Sequence, residues 1–195
     1  MSIDAAAAPS TGAFQQDCER IAIFCVGNKL MLDDGLGPVV YEELTRSYEF
    51  PENVTIYDVG CMGLDMLDHV KDSDYMVSVD AVEGTGEPAG TVFEFAPEDM
   101  MRHHGATASL HELTLADLFD AAALVGYECE GKCFGMQVAN MSPDEFTIAL
   151  TRPVYDAVPL LIDALLADLH SRGVRMTAKA TGEPIEPGWH HEMTE

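Results

Sequence analysis

Basic residues are scarce in this sequence. Ten lysines and arginines stand against thirty-four aspartates and glutamates, for a formal net charge of −24. A surface of that sign repels nucleic-acid phosphates and anionic membranes, and it attracts basic partners. Long apolar runs are missing too: no segment reaches the roughly 20 apolar residues that a membrane span needs. The stretch "MSIDAAAAPSTGAFQQ" has neither a basic start nor an apolar centre, and it is not expected to act as a secretory signal. Cysteines are few and irregular, at Cys18, Cys25, Cys61, Cys129 and Cys133. An odd number without disulfide spacing, one of them inside an apolar run, argues for a reducing compartment. Together these absences predict a cytoplasmic protein that binds no nucleic acid and no membrane.

Several catalytic signatures are also missing. There is no G-x-S-x-G elbow and no H-E-x-x-H pair. "GTGEPAG" (84–90) resembles half a dinucleotide fingerprint, but Pro88 interrupts it and a strand, not a helix, is expected to follow. His103 and His104 lie in a polar stretch with no partner motif. Cys129 and Cys133 flank an expected turn and are not expected to act in catalysis.

What is present is an ordinary globular composition. Apolar residues make up 47% of the 195, and mean hydropathy is +0.02, enough for one domain with a real core. "RIAIFCV" (20–26) reads as a buried strand and "LGPVVYEELTRSY" (36–48) as a helix, with Pro38 at its tolerated start. "NVTIYDVG" (53–60), "DYMVSVDAV" (74–82), "TVFEFA" (91–96) and "KCFGMQVA" (132–139) read as further strands. Helices are expected over 63–72, 110–126 and 153–172. "EFTIAL" (145–150) reads as a short strand or as an extension into the last helix. Strands alternating with helices predict an α/β fold in three layers: a twisted, mostly parallel five-stranded sheet with helices on both faces. The expected organisation is a flexible tail over 1–18, one domain over 19–176, and a peripheral C-terminal tail over 177–195. That last segment looks too rich in glycine, proline and charge to pack well.

Open α/β sheets place their sites beyond the carboxyl ends of the strands. The reactive side chains expected there are Asp33 and Asp34 after the first strand, Asp58 on the second, and Asp80 on the third. His111 joins them in the first turn of the helix near 110, where Ser109 and Glu112 have capping-box spacing. A helix amino terminus disfavours imidazolium, and neutral imidazole is the form that binds metal. Two of these carboxylates and the imidazole of His111, brought from separate loops, therefore make a candidate divalent-metal site with open positions, of a kind that suits zinc or nickel. Each also has a plain reading: Asp33 as a helix cap, Asp80 as a loop hydrogen-bonder, His111 as a structural histidine. A phosphate cradle at the first loop is excluded by its own paired carboxylates.

Four stretches in series, "VGNKLMLDDGLG", "YDVGCMGLDML", "VDAVEGTGEPAG" and "SLHELTLADLF", resemble the [NiFe]-hydrogenase maturation proteases. The likeness runs over roughly residues 20 to 172. It implies a cytoplasmic endopeptidase that removes a C-terminal extension from the hydrogenase large-subunit precursor once nickel is in place. It further implies that Asp34, Asp80 and His111 bind that nickel, with Asp33 capping or supporting, and that Asp34 or Asp80 serves the hydrolysis. The nickel arrives with the precursor; a divalent ion such as zinc is the expected substitute in the isolated protein, taken to be a monomer. Where the family reads D-G-G-T-x-G, this chain has Asp58-Val59-Gly60-Cys61-Met62-Gly63, so Cys61 replaces a threonine and is read as a spectator thiol or a soft metal contact. Two other functions fit parts of the pattern. One is a non-catalytic nickel-dependent maturation chaperone using the same ligands; the other is a thiol-redox protein using Cys61 or the Cys129/Cys133 pair.

Overall fold

The computed structural model of the chain describes residues 19–61, 66–96, 115–127 and 129–193. Strand β1, Ile21–Val26, is buried at every position, as a strand covered on both faces must be. Leu32–Gly35 forms a single 3-10 turn and runs into helix α1, Leu36–Ser47. Then follow β2 (Tyr48–Glu49), β3 (Val54–Gly60), the short helix α2 (Leu67–Lys71) and β4 (Tyr75–Val82). The chain continues through β5 (Val92–Phe95), α3 (Leu115–Leu124), β6 (Glu130–Gln137), α4 (Arg152–Ser171) and β7 (Thr177–Ala178).

The main sheet has the order β3-β1-β4-β6-β5. Its first four strands are parallel and β5 lies antiparallel on the edge. This is the α/β class expected from the alternating pattern. Period-two alternation divides the strands between two cores. Ile21, Ile23, Cys25, Tyr75, Val77 and Val79 face α1 and α4, against Leu36, Val40, Leu44, Val158, Leu161 and Leu165. Ala22, Phe24 and Met76 face the opposite layer, against Met66 just before α2, Val70 of α2, and Leu118 and Ala122 of α3. The chain leaves β1 toward β3 and reaches β4 on the other side of β1, so the sheet changes direction at the carboxyl ends of β1 and β4.

Two expectations are corrected. "EFTIAL" is neither a strand nor a helical extension: α4 begins at Arg152, and Thr147 makes one isolated parallel bridge with Met31. The segment after residue 176 is not peripheral. β7 pairs with β2, and Met176, Ala178 and Ile185 join the larger core. His191 is buried, its amide donates to Asp163 Oδ1 at 2.7 Å, and its Nδ1 meets the Tyr48 hydroxyl. Its Nε2 lies 3.2 Å from Oε1 of Glu43, a fully buried acid that also accepts from Arg46 and from Ser47 Oγ. A few well-spaced anchors outweigh a composition dominated by turn formers. Among the described residues no helix is long and apolar enough to cross a membrane.

Burial lowers the pKa of His191 despite the nearby Glu43 and Asp163 carboxylates. The unfolded chain therefore takes up the proton first, and stability falls as pH drops below the unfolded value of about 6.5. A His191→Gln protein lacks that term. Thermal unfolding from pH 8 to pH 5 is expected to show the wild type's advantage over the variant shrinking toward acid.

Candidate active site at the carboxyl ends of β1 and β4

The loop after β1 is built by close approach. Gly27 has φ +137°, and a Cβ there would lie 1.9 Å from the Asp34 carbonyl oxygen. A Cβ on Gly37 would lie 2.0 Å from the Val26 carbonyl oxygen, so only glycine lets α1 start against the end of β1. Between them, Asn28 Oδ1 accepts from the Leu30 amide at 3.0 Å, and the Asn28 amide donates to Asp34 Oδ2 at 3.0 Å. Leu32 takes φ +53°, a left-handed conformation that a branched side chain pays for. The loop is held there by neighbours: the Leu32 amide donates to the Thr147 carbonyl at 2.9 Å, and the Thr147 amide to the Leu30 carbonyl at 2.8 Å.

The two adjacent aspartates do different things. Asp33 is fully buried. Its Oδ2 accepts from the amides of Ala139 and Asn140, each at 3.0 Å, and from Thr151 Oγ1 at 2.9 Å. Its Oδ1 accepts from the Thr151 amide at 2.6 Å. Thr151 is the N-cap residue of α4, while the N-cap of α1 is Gly35. Asp33 thus supports rather than caps: it ties the first loop to the end of β6 and the start of α4. A carboxylate can accept about four hydrogen bonds, and here four donors are supplied. Asp34 is half-buried, in a turn that packs against β4.

Cys25 of β1 aligns with Val79 of β4, which sets Asp80 one step further along, beside the last residue of β1. Asp80 is half-buried, and its Oδ1 accepts from the Ala81 amide at 2.8 Å. Alternation places it on the sheet face covered by α2 and α3. Asp58, on the other side of β1, aligns with Cys25 and is exposed. The register slips by one between Cys25 and Val26, leaving Val59 as an extra residue, the kind of bulge that re-aims a strand end beside a site. Asp34 and Asp80 therefore meet at the same end of the sheet. His111 lies outside the described residues, as do Ser109, Glu112, His103 and His104. The described part of α3 begins at Leu115, on the Asp80 face.

Sequence reasoning did not single out Thr151, Asn140 or Thr147. Nothing about an exposed-looking "TRP" or "AN" marks a hydrogen-bond donor to a residue more than a hundred positions away. Two of the thiols, Cys129 and Cys25, fare poorly as reactive groups. Cys129 is free and partly buried, and burial, with Asp74 and Glu19 nearby, pushes its pKa up to about 11. Cys25 is free and fully buried, its thiol raised well beyond the usual range by burial. A thiolate nucleophile needs the opposite environment.

A family model described as hydrogenase maturation protease matches residues 38–168. The hydrogenase expression/formation protein HupD of Rhizobium leguminosarum bv. viciae is 30% identical over 176 residues, covering 89% of this chain and 86% of that protein. The hydrogenase 2 maturation protease of Escherichia coli is 28% identical over 156 residues, covering 80% of this chain and 93% of that one. Among solved structures, the hydrogenase maturating endopeptidase HybD from Escherichia coli superposes with a TM-score of 0.74 at 26% identity, over 83% of this chain and 98% of that chain.

The four donors around Asp33 set an expectation for its removal. Asp33→Asn keeps the volume but turns an amide group toward donors. It is expected to destabilise by about 2–4 kcal/mol, since hydrogen bonds to a charged group are worth about 1.5–3 kcal/mol and the buried donors stay unsatisfied. This exceeds the ~1 kcal/mol of a lost helix cap. Urea unfolding monitored by circular dichroism measures it.

Proposed function

The chain belongs to the hydrogenase maturation protease family, and from that premise we propose that it cleaves the C-terminal extension from a [NiFe]-hydrogenase large-subunit precursor after nickel insertion, recognising the bound nickel. The observation that carries this reading is the location of both Asp34 and Asp80 at the end of the sheet where it changes direction, with Asp33 drawn away into structural bonds. Family membership supports the peptidase activity. The donor set supports the metal: two carboxylates and the expected imidazole of His111 suit a borderline cation such as nickel or zinc.

In this reading the nickel is part of the substrate. It docks on Asp34, Asp80 and His111 and brings the scissile bond to a fixed position. Holding reactants in place removes much of the entropic barrier. Hydrolysis then needs a polarised carbonyl or an activated water. The substrate's metal supplies either as a Lewis acid, and Asp34 or Asp80 supplies the second as general base. Clustered carboxylates suit the task, because their mutual repulsion is relieved only when a cation arrives. In the isolated protein a divalent ion such as zinc takes the same place. The working location is the cytoplasm, and the working form a monomer.

Asp34→Asn, Asp80→Asn and His111→Ala are each expected to fold normally and to lose at least about a hundredfold in precursor cleavage, the lower end of what a positioned acid or base supplies. Intact mass of the precursor after incubation reads the outcome directly. Nickel-free precursor is expected to stay whole with the wild-type protein. A non-catalytic chaperone would bind the loaded precursor and leave its mass unchanged.

A further inference from the structure

Three of the eight large apolar side chains that stand out in solvent among the described residues gather at one place: Leu30 at 44% exposure, Phe146 at 80% and Ile148 at 66%. Scattered exposed apolar residues need no explanation, but a cluster does. This one is joined by backbone hydrogen bonds. Phe146 and Ile148 flank Thr147, whose amide and carbonyl bond Leu30 and Leu32 across the isolated bridge. The ridge is thus part of the loop that carries Asp34.

We infer that the ridge of Leu30, Phe146 and Ile148 is the docking surface that seats the hydrogenase large-subunit precursor beside the carboxylate site. The inference rests on the protease reading and adds the residues that select the substrate. Distance supports it. Four residue steps take the chain from Leu30 to Asp34, at most about 14 Å when fully extended. A standard interface buries about 800 Å² on each partner, a disc of roughly 16 Å radius. A folded precursor that places its metal on Asp34 with an interface of that size covers the ridge. Exposed phenylalanine and branched aliphatic side chains are what such an interface uses as its apolar centre.

Charge defines the partner's rim. Asp144 and Glu145 are exposed immediately before Phe146, and Glu83 is exposed at the end of β4, its Oε1 accepting from the Met141 amide at 3.2 Å. An apolar patch bordered by lysine or arginine complements this surface, and one bordered by acids is rejected. Rigidity adds to the effect. Asp33 pins the same loop on the 139–140 and 151 backbone, so the ridge and Asp34 are held as one unit and the partner finds both in register.

The test uses nickel-loaded precursor with wild type, the double variant Phe146→Ser/Ile148→Ser, and Phe146→Leu. Both positions are exposed, so the double variant is expected to unfold at the wild-type temperature. It is expected to lose at least tenfold in kcat/KM through KM, while Phe146→Leu stays within about twofold. Wild-type KM is expected to rise with salt, as surface charges are screened. Wild-type efficiency in the double variant overturns the inference and leaves the protease reading intact. Failure of the wild type to cleave any loaded precursor overturns the protease reading, and this inference with it. A wild-type dimer in light scattering that the double variant dissolves, with cleavage unchanged, makes a second copy of the chain the occupant and also overturns it.

Discussion

The site end of this molecule depends on one buried carboxylate. Asp33 has no exposed surface and accepts four hydrogen bonds, three from backbone amides and one from a hydroxyl. An ion removed from water is costly unless its lone pairs are met, and then it fixes geometry. Here the donors come from the end of β6 and the first residues before α4, elements far apart in sequence. Because Asp33 is committed to them, its neighbour Asp34 is presented at the other side of the same turn. Two adjacent acids that would repel in water are set apart: one is buried and holds the scaffold, and the other is half-buried in the turn that packs against β4.

The same constraint explains why the loop tolerates strain. Leu32 sits at φ +53°, and Gly27 and Gly37 allow contacts that no Cβ could survive. Strain of this kind persists where surrounding bonds over-determine it. The Thr147 bridge and the Asp33 bonds do so from two directions. A rigid loop is what a positioning site requires, since a displacement of about 1 Å can cost a hundredfold in rate.

Much of this was legible in the sequence, and the parts that were not share a cause. The β1 run and the unalternated β4 run announce strands covered on both faces, and the carboxyl-end rule predicts the end of the sheet at which Asp34 and Asp80 both lie. What local pattern cannot show is long-range pairing. The donors to Asp33 lie 106 to 118 positions away. The "EFTIAL" stretch has strand-like alternation, yet a single bridge to Met31 uses it as a clip. The C-terminal segment misleads in the opposite sense: glycine and proline suggest a loose tail, yet Ile185 and His191 anchor it to the core and to the buried Glu43. A buried acid on α1 is invisible in a chain with thirty-four acidic residues.

The acidity itself takes on a different meaning once the site is placed. A net charge of −24 disfavours the approach of polyanions. It also lowers the free energy of any cation approaching the sheet's carboxyl end, and it disfavours contact with an acidic surface. The field acts at a distance of about a Debye length, ~8 Å at physiological salt. It can orient an incoming partner but cannot select one surface from many similar ones. Selection needs contacts of short range. The only groups beside Asp34 that combine exposure, apolarity and a fixed backbone among the described residues are those of the 30/146/148 ridge. Charge brings the partner to the right end of the sheet, and the ridge decides which partner stays.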